Sequence, residues 1–588
     1  MDVIHWPVGS IALAREWREG IPMETSTARR LPLTSAQREM WLLQELYPAS
    51  PALTIGLVVQ IYGPVDVEIY RAAVDHVVSE TETLRIRLAV DGDEIVQYVQ
   101  PDPRTPITVV DLSAEANPQR AARERAGRTF GEVIDLTSEL PLKVELLKLS
   151  ESHTTAVHRF SHIAVDGWGL DLIIRRLAAV YSIMCAGGDP GTVPFDPLDL
   201  LIDADRQYRD SDKRAEDATF WRRYVADSPD PTRLAEAAGD PDIPSAPLVC
   251  HLVELGPDVM EALLDLSRGT GAGRRSSTPR MTVQSALLIG AVGAYFQAVT
   301  GAPEVMLNLP VRNRVNAACG PVPGLASNVV PFRMSVAPDM TVAELISSVT
   351  KGMKEVLRHQ QYRYEDLSRN LLREDAEKAL WGPLVNVSGI GNDLRFGDCH
   401  ADVEWSGNGP VRDLEFEFTQ VMGNRGWQLE LKANPDLYQA EDLDACARRF
   451  IGLLGRLVSV DPDTPLSRLE TLLSDERARL LDVWNDTAVA VPAVTVPELF
   501  AARVAAAPDA VAVVAGDTRL TYAELDARAN RVARWLIGQG VGPEDRVVVL
   551  LERSAELVVA VLAVLKAGAA YVPVDPAYPA ERVAYMLA

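Results

Sequence analysis

The sequence predicts a mixed α/β protein with more than one domain, and three features carry that prediction. A chain of 588 residues is longer than one hydrophobic core usually organises, at roughly 100 to 200 residues per domain. Helical and strand-like apolar spacings alternate through both halves, and Pro–Gly-rich stretches separate them. Apolar residues make up 47% and charged residues 24%, a globular balance that sets aside disordered, collagen-like and coiled-coil classes.

Charge and cysteine content narrow the class further. The 58 Lys and Arg against 82 Asp and Glu leave a net charge of −24, which offers no general grip on nucleic-acid phosphates. Five cysteines (Cys185, Cys250, Cys319, Cys399, Cys446) are far apart and form no CxxC pair. They read as reduced thiols of a cytoplasmic protein, with no disulfide framework and no metal site. The longest apolar runs, Ala286 to Phe296 and Leu557 to Leu565, are too short to span a bilayer, and residues 1–30 hold no apolar signal core.

In chain order, residues 1–27 read as an N-terminal extension. Ile69, Ala73, Val74 and Val77 follow helical spacing, Glu94 to Val99 reads as a strand, and Leu142, Val144 and Leu146 alternate with charged neighbours as a strand does. Residues 186–199 read as a loop, and the five prolines from Pro229 to Pro247 mark a boundary between lobes at 28–228 and 229–470. Ser267 to Arg280, with four arginines among small residues, reads as a solvated loop. Beyond it, Thr282 to Val299 suits an apolar helix and Glu304 to Leu309 a strand, while Leu414 to Phe418 and Trp427 to Leu431 alternate as strands do. Residues 471–492 look like an interdomain linker, and 493–588 a further unit.

The segment richest in chemistry is AVHRFSHIAVDGWGLDLIIRRLAAVY, Ala156 to Tyr181. A β-prone run leads through Ser161, His162, Asp166 and Gly167 into Leu170, Ile173, Ile174, Leu177 and Tyr181 at helical spacing. A strand–turn–helix junction of this kind can aim a side chain into a cleft while its flanks stay rigid. His162 is the natural occupant, because a neutral imidazole can accept or relay a proton near neutral pH. Asp166 can orient it or support the turn, and Gly167 permits close approach. Taken alone, the segment favours a hydrogen-bonded structural histidine.

This stretch resembles the HHxxxDG signature of nonribosomal peptide synthetase condensation domains, written here from Ser161 to Gly167. Further family segments occur in the expected order: LPLTSAQREMWLL (Leu31 to Leu43) and SETETLRIRL (Ser79 to Leu88) upstream, and NLPVRNR (Asn308 to Arg314), SNVVP (Ser327 to Pro331) and RHQQYRYEDL (Arg358 to Leu367) downstream. The resemblance implies a chloramphenicol-acetyltransferase-like fold, a two-lobed pseudodimer with the histidine loop between the lobes. LTYAELDARANRVARWL (Leu520 to Leu536), with a Thr521–Glu524 capping box and Leu525, Val532 and Leu536 on one helical face, resembles the opening of an adenylation domain. LKAGAAYVPVDPAYPAERVAYML (Leu565 to Leu587) resembles it too. Its ATP-binding loop and amino-acid pocket have not appeared by Ala588, so this fragment is not expected to activate an amino acid.

For residues 28–470 the resemblance implies amide formation between a carrier-bound acyl or peptidyl thioester and a carrier-bound aminoacyl acceptor. The 4'-phosphopantetheine arms belong to partner carrier proteins, and no cofactor is expected on this chain. His162 is the implied catalytic residue. Asp166 and Arg314 are implied supports, and Gly167, Ser161, Ser327 and Asn328 implied contacts for the pantetheine or its tunnel. Plain alternatives stand beside these: strand-end capping for Ser327 and Asn328, an ordinary turn for Gly167, lobe packing for Trp168. Two positions depart from the family, Ser161 where most members have histidine and Gly169 where many have serine. Ser-His at this place keeps ester formation and macrocyclisation open, and a silent docking module is the rival of another class. GPVPGLASNVVPFRMSV (Gly320 to Val336) is similar to condensation domains that take an acyl starter. With Met1 as the start, the donor is expected from a separate carrier protein or from coenzyme A. The downstream acceptor carrier and the rest of the adenylation domain complete the expected partners.

Overall fold

The computed structural model describes residues 28–587, apart from 93, 102–103, 192–194, 236–247, 258, 260, 262–279, 375–379, 389–393, 408, 410 and 422–425. The expected N-terminal extension, most of the proline-rich boundary and nearly all of the arginine-bearing loop at 267–280 lie outside the described residues. Two compact units emerge, one ending at Arg477 and one beginning at Ala478, so the break falls inside the expected linker.

The first unit is built on two six-stranded mixed sheets. In one, the strands lie in the order Leu394–Phe396, Cys399–Gly407, Thr54–Tyr62, His153–Ser161, Leu142–Ser150 and Ile107–Asp111. His153–Ser161 is central, pairs antiparallel on both sides and is buried from Thr154 onward, which suits its β-branched and aromatic content. The helices Val67–Glu80 and Gly167–Cys185 pack on this sheet, and the expected helical face of Leu170, Ile173, Ile174, Leu177 and Tyr181 is buried in the shared core. A small antiparallel sheet of Arg29–Pro32, Glu94–Val99 and Ile86–Asp91 lies beside it in sequence.

The second six-stranded sheet runs Asn328–Ser335, Glu304–Val311, Leu384–Ser388, Leu414–Val421, Gly426–Ala433 and Val249–Glu254. Its Phe416, Phe418, Trp427, Leu429 and Leu431 join helices Arg280–Thr300 and Ala440–Ser459 in the largest core cluster. The window Val283–Thr300 is long and apolar enough to cross a membrane, yet 78% of it is buried inside this core, as a central helix between layers must be.

Among the described residues the structure departs from a partition of the lobes by chain order in two places: helix Asp212–Ala226, within the expected first lobe, buries Phe220, Trp221 and Val225 in the second sheet's core, and one strand crosses the other way. Residues 394–407 lie within the expected second lobe, but Cys399–Gly407 pairs antiparallel with Thr54–Tyr62 and extends the first sheet. The strand is committed to this foreign partner because it covers the open edge of Thr54–Tyr62, removing unpaired backbone groups that a sheet edge exposes.

The second unit, taken by itself, opens on a helical turn at Arg479–Val483 and continues with helix Val496–Ala506 and the hairpin Val511–Ala515/Thr518–Thr521. Thr521 Oγ1 accepts the Glu524 backbone N–H at 3.2 Å and Glu524 Oε2 accepts the Thr521 N–H at 2.9 Å, closing the expected capping box on helix Tyr522–Gly538. Arg546–Val549 and Ala570–Pro573 pair in parallel around helix Ala555–Lys566.

Gly407 closes the strand that crosses to the first sheet, at φ +136°, and a Cβ there would come within 2.7 Å of Ile55 Cα and 2.8 Å of Thr54 O. Gly407→Ala is therefore expected to lower unfolding stability by about 1–3 kcal/mol in urea denaturation, through both strain and overpacking.

Candidate functional site

The end of the central strand delivers the histidine. The Ser161 N–H donates to Pro141 O at 2.9 Å and the His162 N–H to Leu53 O at 2.8 Å, so the backbone is held as a sheet up to the turn. Ala164 N–H to Ser161 O at 3.0 Å then folds it back, and Asp166 caps the following helix by accepting the Gly169 N–H at 2.9 Å. Strand, turn and cap together aim His162 into a cavity of about 290 Å³.

The ring's proton is placed by its neighbour. His162 Nδ1 lies 2.9 Å from Val165 O. A carbonyl oxygen only accepts, so Nδ1 carries the hydrogen and Nε2 is left with the basic lone pair. Burial pushes the imidazole pKa below its usual value, against the opposing pull of the Asp166 charge and the Val165 carbonyl. The ring is therefore neutral at pH 7 with one acceptor nitrogen.

Asp166 is the hub around which the turn is organised. Oδ2 accepts Arg314 Nη1 at 2.7 Å and the backbone N–H groups of Ala326 and Ser327 at 3.0 Å each. Oδ1 accepts Arg314 Nη2 at 3.2 Å as well as the helix cap. Arg314 also donates to Gly324 O at 2.8 Å, and the side chains are only 3% and 5% exposed. Burial would raise the Asp166 carboxyl, but the Arg314 charge and hydrogen bonds, with the amides of Ala326 and Gly169, outweigh it and hold the pKa below the ordinary carboxylate range. Arg314 follows a strand of the second sheet, so this pair joins the histidine turn to the other lobe.

The remaining sequence-predicted residues divide. Gly167, Ser327 and Asn328 line the cavity with His162 and Asp166. Ser161 does not; it is 3% exposed at the strand end, because alternation along the strand turns it from the face that His162 follows. Asn328 uses its amide as a clamp, donating to Gln360 O at 2.8 Å and Tyr362 O at 2.7 Å while its oxygen accepts the Tyr364 N–H at 3.3 Å. That segment in turn holds the lobes: Arg363 donates from Nε to Glu39 at 2.8 Å and from Nη1 to Ser327 O at 2.6 Å. The glycine at which close approach is demanded is Gly169, where a Cβ would meet Val165 Cγ2 at 2.5 Å and Gly324 N at 3.1 Å. Trp168 donates to Gly320 O at 2.9 Å and carries the Arg312 guanidinium 4.4 Å above its ring, which is packing across the lobes. Sequence reasoning missed Glu415, Glu417 and Lys432, which also line the cavity. Their strand alternation was visible, but it marks one face as apolar without saying what the other face meets.

A buried carboxylate–guanidinium hub, a neutral imidazole with one free nitrogen and a cavity of ligand size suit proton transfer during attack on an acyl group. Comparison with known proteins points the same way. The family described as "Condensation domain" matches residues 27–481, and that of "AMP-binding enzyme" residues 500–588. The dimodular nonribosomal peptide synthase of Bacillus subtilis (strain 168) is 31% identical over 94% of this chain, which spans 23% of that protein. The isonitrile lipopeptide synthase of Streptomyces coeruleorubidus is 32% identical over 95% of the chain, spanning 37% of that protein. A doubly substituted starter condensation domain of rhizomide synthetase, crystallised with C8-CoA and Leu-SNAC, superposes with a TM-score of 0.68 at 30% identity, covering 76% of this chain and 97% of that one.

Replacing Arg314 by Ala is expected to lose about 3–5 kcal/mol in urea unfolding, because the buried Asp166 charge is left uncompensated. Since the folded Asp166 carboxyl titrates below its usual 3.8, the pair contributes fully above that pH and its contribution is lost as the pH falls through the lower folded value. The stability gap between the wild type and Asp166→Asn is thus expected to shrink below pH 3.8, as read from urea midpoints across an acid series.

Proposed function

Because this chain belongs to the condensation-domain family and carries its chloramphenicol-acetyltransferase-like fold, we propose that its first unit forms an amide bond between two thioester substrates, with His162 as the catalytic residue. The observation that carries this reading is that His162 lines the cavity with its Nδ1 hydrogen held by Val165 O, which leaves Nε2 as the ring's acceptor nitrogen. The acceptor's amine attacks the donor's thioester carbon. The N–C bond forms, the C–S bond breaks, the amine proton passes to His162 Nε2 and then to the departing thiolate. Holding the two reactants together supplies much of the acceleration, since oriented intramolecular reactions reach effective molarities on the order of 10⁵ M. Asp166 and Arg314 hold the turn and do not react. Gly167 and Ser327 border the path of the pantetheine arm.

Nonribosomal peptide synthetase condensation domains work with carrier-protein domains, and in that setting the phosphopantetheine is borne by the carriers. In our reading the upstream donor reaches this chain from a separate carrier or as an acyl-coenzyme A. The coenzyme A thioester held by the similar starter domain supports this, as does the likeness of Gly320 to Val336 to starter-type domains. The downstream aminoacyl carrier and the rest of the adenylation domain are the other partners, in the cytoplasm. No amino-acid activation is assigned to residues 478–588.

His162→Ala is expected to lower product formation from preloaded carriers about 10²- to 10⁴-fold with the fold intact, measured by mass spectrometry. Undiminished product would make the imidazole a structural group, and the absence of any product from the wild type would favour a docking module. A hydroxyl acceptor used in place of the amine would reveal ester formation. Because burial lowers the His162 pKa from 6.5, the acid limb that this group sets in the pH–rate profile is expected to have its midpoint below pH 6.5.

A further inference from the structure

The two faces of the second sheet carry opposite chemistry. Along Leu414–Val421, Phe416 and Phe418 enter the main core, whereas Glu415 and Glu417 point to the other side, are 6% and 8% exposed and line the cavity shared with His162. Lys432, 7% exposed on the same wall, stands opposite Glu415 in the antiparallel register. Its ammonium, however, lies 2.6 Å from Glu417 and 3.4 Å from Glu430. The polar group offered to Glu415 is the Asn386 amide, which is 3.4 Å from Glu417 Oε1 as well.

Elsewhere on the cavity wall each carboxylate has its own guanidinium, Arg314 for Asp166 and Arg363 for Glu39. Here three carboxylates share one ammonium. Burial, with the like charges of Glu417 and Glu430 and against the pull of Lys432, raises Glu415 to about 8. Among the described residues, even with that proton in place, Glu417 and Glu430, the latter beside the lysine and outside the cavity lining, outnumber Lys432, and with it gone the cluster is short of two positive charges. A group this buried is expected to be matched by an opposite charge, and the space that would hold one is the cavity itself.

We propose that Glu415, backed by Glu417 and Lys432, is a specificity-determining subsite that takes a basic group, an ammonium or guanidinium, on the side chain of one of the thioester substrates. The inference rests on reading the cavity as the condensation site. As the cation enters, the Glu415 proton leaves to solvent and the carboxylate pairs with it, so binding at neutral pH releases a proton.

The test uses the full chain and N-acetylcysteamine thioesters of lysine and of its neutral isostere 2-aminoheptanoate. They compete in one arm as acceptors and in another, N-acylated, as donors, with products weighed by mass spectrometry. The lysyl thioester is expected to win about tenfold or more in one arm, which identifies the substrate concerned. Glu415→Gln, isosteric and relieved of a like charge, is expected to bring the ratio close to one. Equal use of both thioesters in both arms, or a preference that survives Glu415→Gln, overturns the subsite. Calorimetric binding of the same thioesters to His162→Ala, in two buffers of different ionisation heat, reads the subsite without turnover. Tighter binding of the lysyl compound with proton release supports it, and equal binding of the two compounds overturns it. A wild type that binds the lysyl compound selectively but joins nothing overturns the condensation reading alone.

Discussion

Almost everything at this site depends on one carboxylate sealed between the lobes. Asp166 receives the guanidinium of Arg314, two backbone amides of the Ala326–Ser327 segment and the first turn of its own helix. These bonds engage both oxygens of the carboxylate at once, so the histidine turn and the second lobe are held in one arrangement. The geometry of His162 follows from it, because Val165, whose carbonyl sets the ring's tautomer, is the residue before Asp166. A second tie, Arg363 to Glu39 and Ser327, binds the same two lobes across the cavity.

The cavity between those ties is electrically uneven. On the histidine side each lining carboxylate meets its own guanidinium, and burial holds the imidazole pKa down. On the opposite wall carboxylates crowd around one lysine, whose own proton they hold firmly despite its burial. In the reaction we propose, a proton acceptor is thereby kept uncharged where an amine must lose its proton, while the carboxylates of the proposed subsite are carried by the sheet.

What could be read from sequence was local. The strand, turn and helix around His162, the capping box at Thr521 and the apolar faces of Leu414–Val421 and Gly426–Ala433 all declare themselves within a few residues by period and composition. Arg314 came from the order of motifs, and the pair it makes is the one the structure contains. The rest depended on distance along the chain. Nothing near Cys399–Gly407 announces that it pairs with Thr54–Tyr62, some 340 residues earlier. Likewise, Leu-Glu-Phe-Glu-Phe signals a half-buried strand, and its glutamates read as solvent-facing until the other lobe covers them. The place of Ser161 in the motif suggests a tunnel contact, whereas the two-residue period of the strand turns it from the face that His162 follows.

The crossing strand has a temporal meaning as well. A ribosome makes the chain from its N-terminus, and the first sheet has its final pair of strands only when residue 407 has emerged. Until then Thr54–Tyr62 is left with a bare flank, a template for intermolecular pairing during synthesis. The halves cannot mature one after the other; they reach their native state together, and late.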